Sequence, residues 1–225
     1  MTERILLVED HALFAESLAA ALADLGHDVQ LAEISGHAGA ELVLAHAADY
    51  LPSVVLLDLD LGGMDSVPLI GPLHDCGARV VMLTAVTDRL RHAECVKAGA
   101  AGVLSKADHF AEIVEAIQQV ASGRPLLDGN QRAELLRDLR AAEAAEAERL
   151  APFARLTPAE QTVLRLLLEG RSPGDIAKER VVSLATVRTQ IHRILGQLGA
   201  ASQLEAVARA RRAGWPPPDG PTLEP

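Results

Sequence analysis

The chain opens on a short apolar run, Arg4 to Val8, cut off by two acids, Glu9 and Asp10. Leu and Ala then recur at helical spacing over 12–25 and stop at Gly26. This couplet repeats. Strands are predicted at 4–8, 28–33, 53–57, 79–83 and 102–104. Helices are predicted at 12–25, 37–48, 66–76, 88–98 and 108–122, with a Gly-rich loop at 59–65. The central strands are apolar throughout rather than alternating, which is the signature of a parallel sheet covered on both faces. Five beta-alpha units in a row therefore predict a five-stranded parallel α/β domain over 1–122.

After a turn-rich exit at 123–130, the pattern becomes wholly helical. Residues 131–150 are dense in Ala, Glu, Arg and Leu, and Leu135, Leu139 and Ala142 form a thin stripe. The segment 123–155 reads as a helical linker ended by Pro152. Thr157-Pro158-Ala159-Glu160 has the form of a capping box with proline at the first helical position. Ser172-Pro173 starts a short helix, Ser183 caps a third to about Leu198, and a last helix covers 202–212. Two short helices joined by a tight turn, the second basic on one face, describe a helix-turn-helix. The segment 156–212 is thus a small all-α domain, and the Pro-rich 213–225 reads as a disordered tail.

Charge sharpens the division. Residues 1–150 hold 11 Lys+Arg against 24 Asp+Glu, a net of −13; residues 151–225 hold 10 against 7, a net of +3. An acidic front and a mildly basic back point to two domains with different partners. Aromatics are 2% of the 225 residues, which argues against a base-stacking platform. Two cysteines make neither a disulfide framework nor a four-ligand zinc site. No signal-peptide layout and no apolar run of membrane-spanning length are present, so a cytoplasmic protein with no membrane partner is expected.

In a parallel sheet, chemistry collects at the carboxyl ends of the strands. Those ends carry Glu9, Asp10, Asp58, Thr84 and Lys106. One strand-end Asp is ordinarily a loop residue or a helix cap; five such groups in order are not. Three converging carboxylates repel one another and favour a hard divalent cation such as Mg2+. A carboxylate nucleophile beside that cation, a lysine and a hydroxyl is suited to receiving a phosphoryl group.

ILLVED (5–10), VVLLDLDLGGMD (54–65), VVMLTA (80–85) and AGVLSK (101–106) resemble the receiver domain of a bacterial two-component response regulator. LTPAEQTVLRLLLEG (156–170), IAKERVVSLATVRTQI (176–191) and ILGQLGAASQLEAV (194–207) resemble a LuxR-type helix-turn-helix. The pair is similar to the NarL/FixJ class of transcription factors. The resemblance implies a flavodoxin-like receiver with helices on both faces of the sheet, followed by the DNA-binding domain. It makes Asp58 the phosphoacceptor and a sensor histidine kinase the donor. Asp10 would ligate Mg2+ directly, Glu9 through water, and the Asp60 backbone carbonyl would complete the set. Thr84 and Lys106 would engage the phosphoryl group. Such a chain is a regulator and not an enzyme.

Three features of the receiver segment depart from the family pattern. Val103 stands where an aromatic residue usually couples to the threonine, Gly62 stands where proline is usual, and Glu9-Asp10 replaces a pair of aspartates.

In the recognition helix, the matching positions put Arg188, Thr189, His192 and Arg193 outward and Val187, Ile191, Ile194 and Leu195 inward. Arg188 is the leading base or phosphate contact and Thr186 a phosphate contact near the helix start. Gln190 and Gln197 replace a common His and Lys and are expected to weaken or retune binding. A net charge of +3 implies weak binding by one copy. A homodimer through Leu204, Val207 and Ala208 would remedy that; in a monomer the same residues would be core. Double-stranded DNA is the expected ligand, and RNA polymerase a candidate partner.

Two rivals stand beside this reading. Val103 motivates a regulator of the same fold controlled by a ligand or partner instead of phosphorylation. Asp58-Leu59-Asp60 with Asp65-Ser66 is similar to the nucleophile motif of haloacid-dehalogenase-type phosphatases. Against the latter, a full beta-alpha-beta unit with an acidic pair precedes Asp58, and no cap domain follows.

Overall fold

Alternate residues of a buried strand face opposite sides of its sheet, so an uninterrupted apolar strand needs two cores. The computed structural model, which describes residues 2–32 and 39–215, has both. The strands are β1 (Arg4–Val8), β2 (Asp28–Leu31), β3 (Val54–Asp58), β6 (Arg79–Thr84) and β7 (Gly102–Ser105). They form one parallel sheet in the order β2-β1-β3-β6-β7. Ile5, Leu7, Val54, Leu56, Val81 and Leu83 pack on one side with α1 (Ala12–Asp24) and α5 (Phe110–Ala121). Leu6, Val8, Val55, Leu57, Val80 and Met82 pack on the other with α2 (Gly39–Tyr50), α3 (Val67–Asp75) and α4 (Arg89–Ala98).

The loop after β3 is more ordered than its glycines suggest. β4 (Asp60–Leu61) and β5 (Met64–Asp65) form a small antiparallel hairpin. Its two-residue turn is Gly62-Gly63, at φ +63° and +90°. Two successive positive φ values match a type I′ hairpin, and proline, fixed near −65°, cannot occupy the first. Gly62 in place of proline is therefore a requirement of this loop.

The chain divides at Ala141/Ala142 into two compact units. The long α6 (Gly129–Ala154) contributes to both. In the first unit Leu139 is buried, and Arg132 donates to the carbonyls of Val96 and Ala100 at the end of α4. In the second, Phe153 joins the core of α7 (Pro158–Leu168), α8 (Pro173–Glu179), α9 (Leu184–Leu198) and α10 (Gln203–Arg212). Pro152 does not end α6. It forfeits one backbone bond, but burial of Phe153 holds the final turn in place. The Thr157–Glu160 capping box is present in full.

The expected tail begins too early. Ala213 and Trp215 are buried, and the Trp215 ring stacks on Phe153 with centroids 5.5 Å apart. The apolar surface of one indole outweighs the local proline signal. Residues 216–225, the rest of that segment, lie outside the described residues, as do residues 37 and 38 of the second expected helix.

Candidate functional site

The strand order reverses direction between β1 and β3, and a crevice opens at such a point beyond the carboxyl ends. Glu9 and Asp10 follow the last residue of β1, and Asp58 is the last residue of β3. Thr84 ends β6, and Lys106 follows the last residue of β7. All five strand-end groups thus lie along one edge of the sheet.

Lys106 joins two of them. Its Nζ donates to Asp58 Oδ2 at 2.7 Å and to Glu9 Oε1 at 2.8 Å. The Glu9 side chain is fully buried and that of Asp58 is 5% exposed. Burial raises the Asp58 pKa above the ordinary carboxylate value, and the Glu9 charge adds to this, although Lys106 pulls the other way. Burial also works against the Lys106 ammonium, but its bonds to Asp58 and Glu9 prevail and raise its pKa. Thr84 is buried, and its Oγ1 accepts the backbone N–H of Val86 at 2.9 Å. Val103 pairs with Met82 across the sheet and packs, half-buried, against the core.

Two contributors escaped sequence reasoning. His11 Nδ1 lies 3.0 Å from Glu9 Oε1 and 2.8 Å from Asp10 Oδ1. The Glu9 bond, with the Asp10 charge, raises its pKa above the usual histidine value. Ser66 marks the start of α3 in the sequence but makes no side-chain cap there. Its hydroxyl, fully buried, donates instead to the backbone carbonyl of Asp58 at 2.5 Å. The signal for His11 was its adjacency to the acid pair; Ser66 was marked only as part of the phosphatase-like motif, and nothing local pointed to its bond with the Asp58 carbonyl.

Ligand atoms of Glu9, Asp10, His11 and Asp58 all lie within 4.8 Å of one another. Lys106 is the one ammonium that pairs with any of these carboxylates among the described residues, and it meets only Glu9 and Asp58. Hard oxygen donors carrying surplus negative charge fit a hard divalent cation. Beside them the hairpin borders an open cavity of about 410 Å3 lined by Asp60, Asp65, Val86, Asp88 and Arg91. Arg91 on α4 pairs with Asp65 on β5 and with Glu94.

In the second unit, α9 sorts its residues as expected. Val187, Ile191 and Ile194 are buried and Leu195 packs partly against the core. Thr186, Arg188, Thr189, His192 and Arg193 are exposed. The Thr186 hydroxyl is engaged with Ser183 Oγ at 2.8 Å, and that of Thr189 donates to the Ala185 carbonyl. Gln190 and Gln197 instead hold the domain together. Gln190 accepts from Arg180, and Gln197 donates to the Arg155 carbonyl. On α10 Leu204 is 79% exposed, whereas Val207 packs partly on the domain's own core and Ala208 is half-buried.

Comparison with known proteins agrees with this geometry. Residues 5–118 match the response regulator receiver domain, and residues 154–210 match the bacterial regulatory proteins of the luxR family. This chain is a LuxR-family response regulator. It is 31% identical to the transcriptional regulatory protein LiaR of Bacillus subtilis, over 93% of this chain and 97% of that one. It is 32% identical to the probable transcriptional regulatory protein NarL of Mycobacterium tuberculosis, over 93% and 94%. Among solved structures it is similar to a LuxR-family two-component response regulator from Aurantimonas. That match has 25% identity and a TM-score of 0.51, and covers 63% of this chain and 99% of the other. As a LuxR-family response regulator, the protein is a DNA-binding regulator of transcription. No helix among its described residues is long and apolar enough to cross a membrane.

Proposed function

We propose that this regulator works in the cytoplasm and is switched by phosphoryl transfer from a sensor histidine kinase to Asp58. The observation that carries the proposal is the buried Asp58 carboxylate held by Lys106 at 2.7 Å inside the acidic crevice. A carboxylate oxygen of Asp58 attacks the phosphorus of a phosphohistidine. The P–N bond breaks, the imidazole leaves, and an aspartyl phosphate remains. The Lys106 ammonium, freed from the Asp58 carboxylate, turns to the transferred group. The Thr84 hydroxyl donates to one of its oxygens, and Ser66 keeps the Asp58 backbone fixed meanwhile.

Asp10 and Asp58 would hold Mg2+ directly, Glu9 through water, and Asp60 by its backbone carbonyl. When bound, Mg2+ neutralises charge that develops on the phosphoryl oxygens. Downstream, Arg188, Thr189, His192 and Arg193 enter the major groove and Thr186 meets phosphate. Leu204, the exposed member of the α10 set, pairs two copies on duplex DNA, with Val207 and Ala208 at its flank. Pairing on two half-sites offsets the modest charge of one copy, and the bound dimer acts on RNA polymerase.

The test is intact mass after incubation with Mg2+ and a small phosphodonor, for wild type and Asp58→Asn. One added phosphoryl group in wild type alone supports the reading. No gain, with Mg2+ binding shown separately, favours the second reading, a regulator of the same fold controlled by a ligand or partner. Val103, an aliphatic where the Thr84 coupling would use an aromatic, is the observation behind that second reading.

A further inference from the structure

The turn that joins α8 to α9 contains a residue the fold does not want. Val181 has φ +53° and is 89% exposed. Left-handed backbone is strongly disfavoured for a β-branched residue, and glycine would relieve it. Among the described residues only Leu51 and Val181 adopt positive φ without being glycine. The backbone fixes this conformation: Val181 N–H donates to the Lys178 carbonyl and Val182 N–H to the Ala177 carbonyl. The side chain contributes no burial in return. Val182 and Leu184, 37% and 39% exposed, lie beside it. Three apolar side chains therefore meet solvent at the head of α9, where polar groups would cost nothing. An exposed apolar residue on strained backbone points to a role in recognition.

The surroundings indicate the partner. Leu184 lies one helical turn before Arg188 and shares its face with it. Lys178, three residues before Val181, and Arg188, one helical turn after Leu184, are both exposed and bring positive charge to this end of α9. The first residues of a recognition helix face base edges. In the major groove the apolar feature of a base edge is the C5-methyl group of thymine.

We infer that Val181 and Leu184 form a thymine-methyl contact that, beside Arg188, sets the sequence preference of this regulator. The inference rests on the placement of α9 in the major groove. The half-site it implies holds thymine next to the base read by Arg188.

The experiment uses the full chain and a duplex recovered by selection from random sequence. Each thymine in the half-site is replaced in turn by deoxyuracil, which removes the methyl group alone. Affinity is measured for wild type, Val181→Gly, Leu184→Ala and Arg188→Ala. Wild type is expected to weaken by about fourfold at one or two positions, the worth of one methyl burial. Leu184→Ala and Val181→Gly should each bind thymine and deoxyuracil equally at one such position. Val181→Gly should also unfold at the same or a higher temperature, so its loss of discrimination is not a loss of fold. If every deoxyuracil is neutral while Arg188→Ala abolishes selective binding, the methyl contact is overturned and the groove placement survives. If Arg188→Ala changes neither affinity nor selected sequence, the placement itself fails and the inference falls with it.

Discussion

Lys106 holds Asp58 and Glu9 together from the far side of β6, its Nζ within 2.8 Å of both carboxylates. Two buried carboxylates with one ammonium form a strongly interdependent set. Lys106→Ala leaves Asp58 without its ion-pair partner and Glu9 with His11 alone, and the first unit should lose about 3–5 kcal/mol. Urea unfolding followed by circular dichroism measures this, and added Mg2+ should restore part of the loss.

The sign reverses for Asp58 itself. Its folded-state pKa is raised, so in the folded state it holds its proton to higher pH than in the unfolded chain. Stability therefore falls as pH rises from the unfolded value through the folded one, and the full penalty applies above both. Asp58→Asn removes that penalty. Without Mg2+, its melting temperature should exceed that of wild type at pH 7, and the difference should shrink as pH falls toward 4.

His11 is a direct reporter of the crevice. Its bond to Glu9 raises its pKa, so the stability it contributes is fully present below about 6.5 and lost as pH rises through the folded value. The ring is exposed, and the effect on stability is small. A proton NMR titration without metal should place His11 above the ordinary histidine range, and Glu9→Gln should bring it down.

Ser66→Ala tests the support beneath the phosphoacceptor. The variant leaves the Asp58 carbonyl without its hydroxyl donor in a fully buried position. A cost of about 1–3 kcal/mol is expected. Slower phosphoryl gain should accompany it, because the backbone that aims Asp58 is released. Rapid-quench phosphorylation at matched temperature below the melting point separates the two effects.

Trp215, the single tryptophan of the chain, reports on the second unit. Its fluorescence should follow the unfolding of that unit alone, while circular dichroism follows both. Trp215→Ala should lower the second unit's stability by about 3–5 kcal/mol.

Periodicity made most of the architecture legible. Apolar strands, helical Leu and Ala spacing, caps at Thr157 and Ser183 and the stop at Gly26 are local properties, written in neighbouring residues. The strand-end set of Glu9, Asp10, Asp58, Thr84 and Lys106 was legible for a related reason: sheet topology maps strand ends to one edge without reference to side-chain contacts. What stayed hidden depends on partners distant in sequence. Pro152 sits within α6 and Trp215 lies in the core because each belongs to a packing arrangement around Phe153 that no local window contains. Gln190 and Gln197 read as altered DNA contacts until Arg180 and the Arg155 carbonyl claimed them. Ser66 stood only at the start of a predicted helix, and the fold brings its hydroxyl to the Asp58 carbonyl. Hydrophobic pattern and backbone preference are additive along a chain, so sequence determines the elements and their order. Hydrogen bonds and side-chain packing are decided by which surfaces meet, and only the tertiary structure brings those surfaces together.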